Sequence, residues 1–262
     1  MARKRFGQHF LHERGVIDRI LAALDPAATD RMVEIGPGQG ALTDPLLARL
    51  ERLSVVEIDR DLIAALEARA ANTPQLEVIP GDALKIDYQQ LAERRGGTLR
   101  LVGNLPYNIS SPLLFALLGS GAPILDMHFM LQKEVVDRMV APPGSRDYGR
   151  LSVAIAARAE ANLLFDVGPG AFNPPPKVMS SVVRLRPRPP AFTIDDNAMF
   201  DQVVAAAFGQ RRKTLRNALK PYLSAEDIEA CGVAPGERAE RLSAAEFAQL
   251  ANQAAATRAD RA

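Results

Sequence analysis

Asn104-Leu105-Pro106-Tyr107 follows directly on an apolar run, Leu99–Gly103. An amide, a rigid turn and an aromatic ring, in that order at a strand end, suit the handling of a planar amine. An exocyclic adenine amine is a poor nucleophile because its lone pair is delocalised into the ring. Two carbonyl acceptors for its N–H groups favour a more tetrahedral nitrogen and aim the lone pair at an electrophilic carbon. The Asn104 amide oxygen and the Leu105 backbone carbonyl are candidates for that pair. Pro106 fixes the turn between them, and Tyr107 offers an aromatic face for the base. Such chemistry runs on positioning, and no His–carboxylate constellation accompanies it.

The electrophile has a candidate seat. "VEIGPGQGALT" (Val33–Thr43) joins an apolar run to a helical pattern. Gly36, Gly38 and Gly40 let the backbone turn tightly and approach a ligand closely. Glu57 ends the next apolar run, where an acidic residue can hold two ribose hydroxyls. Asp82, after the third run, suits an adenine amino group. The string satisfies a dinucleotide fingerprint as Gly36-x-Gly38-x-x-Ala41. It also fits the Glu-x-Gly-x-Gly-x-Gly loop of S-adenosylmethionine (SAM) methyltransferases through Glu34. Both cofactors carry a ribose and an adenine, so Glu57 and Asp82 do not separate them. The Asn104 turn favours SAM. Asp59 and Asp61 read as helix caps and turn residues.

The elements that must position these residues alternate. Met32–Gly36, Leu53–Asp59, Leu76–Pro80, Leu99–Gly103, Met127–Leu131 and Ser180–Arg186 read as strands. Helical patterns lie between several of them, in 41–51, 60–71 and 110–119. The expected fold class is therefore α/β: a Rossmann-like, mostly parallel sheet with helices on both faces and a crevice at the carboxyl ends of its strands. The pattern changes after Leu185. The expected organisation is a methyltransferase domain over 1–185, a proline-rich connector over 186–192 and a small all-helical domain over 193–262. There, Ser224 and Ser243 sit where N-caps belong, and Gly232 where a helix should stop.

Composition narrows the classes. With 262 residues, 47% hydrophobic, the chain can bury a sizeable core. A net charge of +1 means that any nucleic-acid surface must be local. The single cysteine, Cys231, rules out an internal disulfide, and His9, His12 and His128 form no Cys/His cluster, so no metal is expected. "MARKRFGQHFL" has no apolar stretch after its basic residues and is not expected to be a secretory leader. No run is long enough for a membrane span. A cytoplasmic protein is expected. The local basic surface is "FGQRRKTLRNALKP", which carries Arg211, Arg212, Lys213, Arg216 and Lys220 without an acid. On a helix, Lys213, Arg216 and Lys220 share one face and Leu215 and Leu219 another, so phosphate contact is expected there. Arg3, Lys4 and Arg5 are a candidate basic arm.

Beyond single motifs, the chain resembles the ribosomal RNA adenine N6-dimethyltransferases over nearly its whole length, and among them the bacterial small-subunit enzymes. "RKRFGQHFL", "VEIGPGQGALT", "VVEIDRDL", "GDALKID", "GNLPYNISSPLL", "MHFMLQKEVVDRMVA", "YGRLSV", "FNPPPKVMSSVVRL" and "FGQRRKTLRNAL" carry the resemblance in order. It implies SAM contacts from His9, Leu11, Gly36, Glu57, Asp82 and Asn104, to which the glycine loop adds Gly38. It implies that Asn104 and Tyr107 hold the target adenine, with Phe172 on its opposite face. The segment Pro174–Pro176 is stiff enough to hold that ring at a crevice. Where the family usually reads Gln-Asn-Phe-Leu, this chain has His9. The implied reaction is dimethylation of two adjacent adenosines in the 3′-terminal hairpin of 16S rRNA, within an immature small subunit, by a monomer. Three alternatives stand beside it: a large-subunit enzyme of the macrolide-resistance type, a protein-glutamine methyltransferase and a non-catalytic assembly factor. Leu105 in place of a first proline and the basic helical region disfavour the glutamine enzyme.

Overall fold

The computed structural model describes residues 8–210 and 212–259. In chain order the elements are β1 (Phe10–Leu11), α1 (Arg14–Leu24), β2 (Arg31–Ile35), α2 (Thr43–Leu47), β3 (Leu53–Glu57), α3 (Arg60–Ala70), β4 (Leu76–Pro80), α4 (Tyr88–Arg95), β5 (Leu99–Asn104), α5 (Ser110–Gly119) and β6 (Ile124–Gln132). There follow α6 (Lys133–Val140), α7 (Arg150–Ala156), β7 (Ala159–Val167), β8 (Phe172–Asn173), β9 (Ser180–Pro187), α8 (Asn197–Phe208), α9 (Leu215–Ala218), α10 (Ala225–Ala230) and α11 (Ala244–Ala259).

Seven strands form one sheet in the order β4-β3-β2-β5-β6-β9-β7. The pairs from β4 through to β6 are parallel, and β9 runs antiparallel to β6. All six expected strands form, within a few residues at their ends. β7 lies outside that set: its burial does not alternate, and it is an edge strand. In β2 and β3 nearly every residue is buried, including Met32, Val33, Val55 and Val56. That is the signature of a sheet covered on both faces.

The chain first builds outward from β2 through β3 to β4, then returns and continues from β5 to β6. The topological switch therefore falls between β2 and β5, where ligands bind in open α/β sheets. The two strands approach very closely there. A Cβ on Gly103 would sit 2.3 Å from the carbonyl oxygen of Ile35. At the opposite end of β5, Arg100 is nearly enclosed. Its Nε and Nη2 donate to the two oxygens of Asp126 at 2.9 Å, and its Nη1 donates to Asp30 at 2.6 Å. Such bidentate pairing fixes geometry as well as charge.

The compact units do not follow a single cut near Leu185. As far as they are described, Met1–Val136 with Asn162–Pro187 make one unit, and Asp137–Ala161 with Arg188–Ala262 the other. The reason is packing. Val153 and Ala157 join the helical core of Phe200, Val203, Leu219, Ile228 and Phe247. Arg158 pairs with both carboxylate oxygens of Asp201 at 2.7 and 2.8 Å. Ser224 and Ser243 do cap α10 and α11, and Gly232 takes φ +75° after α10.

Gly103→Ala is expected to destabilise the protein by about 2 kcal/mol or more, because the new methyl meets a main-chain oxygen that cannot rotate away. Urea unfolding checks this; a loss under about 0.5 kcal/mol, the scale of an ordinary surface change, would mean the strands separate freely here.

Candidate active site

A cavity of about 290 Å³ opens at the carboxyl ends of β2, β3 and β5. It gathers most of the expected residues: His9, Gly36, Gly38, Glu57, Asp82, Asn104, Leu105, Pro106 and Tyr107 all line it. Leu11 does not. It lines a smaller recess of about 30 Å³, shared with Glu34, Gly36 and Gly38.

The glycine loop is shaped by conformation and by contact. Gly36 and Gly38 have φ of +68° and +57°. A Cβ on Gly38 would lie 3.0 Å from the Phe10 ring. Behind the loop, the buried Glu34 accepts a 2.6 Å hydrogen bond from the Thr43 hydroxyl. Burial pushes the Glu34 carboxyl up from 4.5 to about 7; the Thr43 bond works against that shift.

Glu57 is 5% exposed, and its Oε1 accepts the N–H groups of Ile58 and Asp59, both at 2.9 Å. Burial raises its carboxyl, and these backbone bonds oppose the rise. Asp82 accepts the N–H of Leu84 at 3.0 Å, and Asp59 caps α3. Ile58 and Leu84 line the cavity while remaining 48% and 37% exposed. They are apolar flanks of the kind a planar ring fills. Sequence reasoning missed both, because nothing distinguishes an aliphatic residue left open at a strand end from one in a core.

Asn104 is ordered by a main-chain group. Its Nδ2 donates to the His9 carbonyl at 2.8 Å. A carbonyl only accepts, so the nitrogen must face it and Oδ1 is the atom left over. The His9 ring completes a second tie: Nδ1 lies 2.7 Å from the Pro174 carbonyl and therefore carries a proton and donates. The same ring lies 5.7 Å from that of Tyr107, tilted by 32°. The Tyr107 hydroxyl reaches Ser180 Oγ at 3.0 Å.

Two expectations need correction. Phe172 does not stand over the cavity. It pairs through β8 with Leu11 of β1, is 3% exposed, and packs in the core with Val16, Leu42 and Val182. Its ring is buried among these side chains and does not line the cavity. The basic segment is not one helix either: only Leu215–Ala218 is helical. The N–H groups of Leu215 and Arg216 bond instead to the carbonyls of Glu237 and Pro235. Leu215 and Leu219 are buried as expected, and Arg212, Lys213, Arg216 and Lys220 are exposed, but the last three share no continuous helix face. Arg211, Arg3, Lys4 and Arg5 lie outside the described residues. Among the described residues, no group of three or more His, Cys, Asp or Glu side chains is placed to hold a metal ion.

A sheet of this order, with its cavity at the β2/β5 switch, has the architecture of a Rossmann-like methyltransferase. Comparison with known proteins narrows the class. The profile of the family described as ribosomal RNA adenine dimethylase matches residues 1–256. A protein named ribosomal RNA small subunit methyltransferase A from Xanthomonas axonopodis pv. citri is 57% identical over 252 residues, covering 96% of this chain and 95% of that one. The protein of the same name from Pseudomonas aeruginosa is 55% identical over 255 residues, covering 97% and 95%. Among solved structures, a dimethyladenosine transferase from Plasmodium falciparum superposes with a TM-score of 0.77 at 26% identity, covering 92% of this chain and 96% of that one. The 23S rRNA methyltransferase ErmE gives 0.70 at 25%, covering 93% and 98%. The chain belongs to the ribosomal RNA adenine dimethylase family.

The raised Glu34 carboxyl has a measurable consequence. The folded state keeps this proton where the unfolded chain has lost it, so stability falls as pH rises from about 4.5 to about 7. Glu34→Gln stays neutral and should gain on the wild type across that window by roughly 1–3 kcal/mol. Unfolding curves at about pH 5 and about pH 8 check this; a constant difference between the two proteins would mean that Glu34 is already ionised in the folded state.

Proposed function

We propose that the protein uses SAM to place two methyl groups on N6 of each of two adjacent adenosines in the 3′-terminal hairpin of 16S rRNA, during biogenesis of the small ribosomal subunit. The observation that carries this reading is the Asn104 amide, held by its nitrogen so that its oxygen is left to accept. The family match and the 55–57% identity to proteins named for the small subunit support that substrate over the large-subunit alternative.

The cavity's donors suit the cofactor. The Glu57 carboxylate suits two ribose hydroxyls, Asp82 an adenine amino group, and Ile58 and Leu84 the faces of the ring. The positive-φ glycines leave room for the rest of the molecule. Bound there, SAM would supply a methyl group activated on a positively charged sulfur. The chain's own part is to aim the amine. Asn104 Oδ1 and the Leu105 carbonyl take its two N–H groups, and Tyr107 supports the base. Each transfer forms one N–C bond, breaks one S–C bond and releases one amine proton to solvent. With the electrophile already activated, alignment supplies the remaining rate.

On this reading the target base leaves its stack to enter the cavity, at a cost of a few kcal/mol. Phosphate contacts elsewhere must offset that cost. Arg212, Lys213, Arg216 and Lys220 are the side chains we assign to it, with Arg211 beside them in sequence. The protein acts as a cytoplasmic monomer on an immature subunit. Among the described residues, no helix is long and apolar enough to cross a membrane.

Glu57→Ala should weaken SAM binding by roughly 1–3 kcal/mol by calorimetry, the scale for buried hydroxyls that lose a charged acceptor. Asn104→Ala should cut turnover far more than SAM affinity; full N6,N6-dimethyladenosine formation by that variant would remove Asn104 from its role. Neutralising Lys213, Arg216 and Lys220 together should lower subunit affinity and flatten its salt dependence, by roughly one unit of log–log slope for each phosphate no longer neutralised. Parallel slopes with equal affinities would show these residues to be merely solvated.

A further inference from the structure

Tyr107 is fixed at both ends. Its backbone sits in the Pro106 turn, where Ile109 donates to the Pro106 carbonyl and the Ser110 hydroxyl donates to the carbonyl of Tyr107 itself. Its hydroxyl, at the far end of the ring, meets Ser180 Oγ at 3.0 Å. Ser180 is 1% exposed and is the first residue of β9, in register with Gln132 at the end of β6. A buried serine on an interior strand, paired with β6, is a rigid post. It follows directly on the exposed segment 177–179.

We propose that Ser180 is a positioning residue for Tyr107 and that its contribution falls mainly on the second of the two methyl transfers. The inference rests on the proposed dimethylation. In the first transfer the amine offers two N–H groups, one for Asn104 Oδ1 and one for the Leu105 carbonyl. After it, a single N–H remains, so one of the two acceptors is without its partner. The base is then held by one hydrogen bond and by its support on Tyr107. Any looseness of that ring is felt more strongly at the second step, where transfer competes with release of the monomethylated base. Burial raises the Tyr107 phenol, which keeps it a neutral hydroxyl able to pair with serine.

The test compares Ser180→Ala, Tyr107→Phe and the double variant on small subunits lacking the modification. It measures the single-turnover rate and, by mass spectrometry of digested rRNA, the ratio of N6-methyladenosine to N6,N6-dimethyladenosine. Compared at equal total methyl incorporation, that ratio reports the partition at the active molecules, so a variant that merely unfolds in part does not shift it. Each single variant should slow the second transfer by roughly three- to tenfold, the scale of one net hydrogen bond, and should raise the monomethyl fraction. The double variant should be no worse than either single one, and SAM affinity should be unchanged. Ser180→Thr, which keeps the hydroxyl, should restore the ratio. Tyr107→Phe removes one oxygen from a half-buried side chain and gives the same reading should Ser180→Ala fold poorly. An unchanged ratio in Tyr107→Phe or a folded Ser180→Ala, or effects that multiply in the double variant, would overturn the proposal. A wild type that makes no methylated adenosine would instead overturn the function on which it rests.

Discussion

Asn104 Nδ2 donates to the His9 carbonyl at 2.8 Å, and the arrangement of the cavity depends on that bond. An amide has two ends of similar size and opposite character. Left free, it presents either one to a ligand. Giving the nitrogen a main-chain acceptor removes that choice, because the reversed amide would set two oxygens against each other. The oxygen is then already oriented before any base arrives. Preorganised dipoles of this kind need no rearrangement at the moment of reaction.

For that bond to exist, the residue before β1 must lie across the end of β5, and several features keep both in place. β1 pairs with β8, the His9 ring donates to the Pro174 carbonyl, and Phe10 packs where only a glycine at position 38 leaves space. β5 is held at its start by Arg100 against Asp126 and Asp30, and near its end by the approach of Gly103 to Ile35. The Asn104–Tyr107 turn thus extends from a strand pinned along its length. The aromatic side chain that follows is anchored on β9 through Ser180.

Much of this was legible in the sequence where local pattern and tertiary context agree. The glycine loop, the strand Leu76–Pro80 and the caps Ser224 and Ser243 declare themselves through spacing and residue type. The cavity residues Glu57, Asp82 and Asn104 were legible because each ends or follows a strand whose carboxyl end opens on the cavity. The illegible parts are those decided by distant partners. Phe172 stands beside a stiff proline segment in sequence, yet its pairing with Leu11 draws it into the core. The basic segment has a helical spacing, but Glu237 and Pro235 capture the N–H groups of Leu215 and Arg216 that a continuous helix would bond to its own carbonyls. Likewise Val153 and Ala157 join the C-terminal helical core, a choice no local pattern announces.

The central claim is that the oriented amide of Asn104, rather than an acceptor oxygen alone, aims the amine. Asn104→Asp separates the two, since it keeps the size and an acceptor but loses the N–H that holds the His9 carbonyl. The measurement is the single-turnover rate of methyl transfer to small-subunit rRNA, with SAM affinity determined alongside. The account predicts a rate loss on the order of 100-fold, the cost of misplacing an aligned group by about 1 Å, with the variant still folded and still binding SAM. An Asn104→Asp enzyme that transfers methyl groups at the wild-type rate would contradict it.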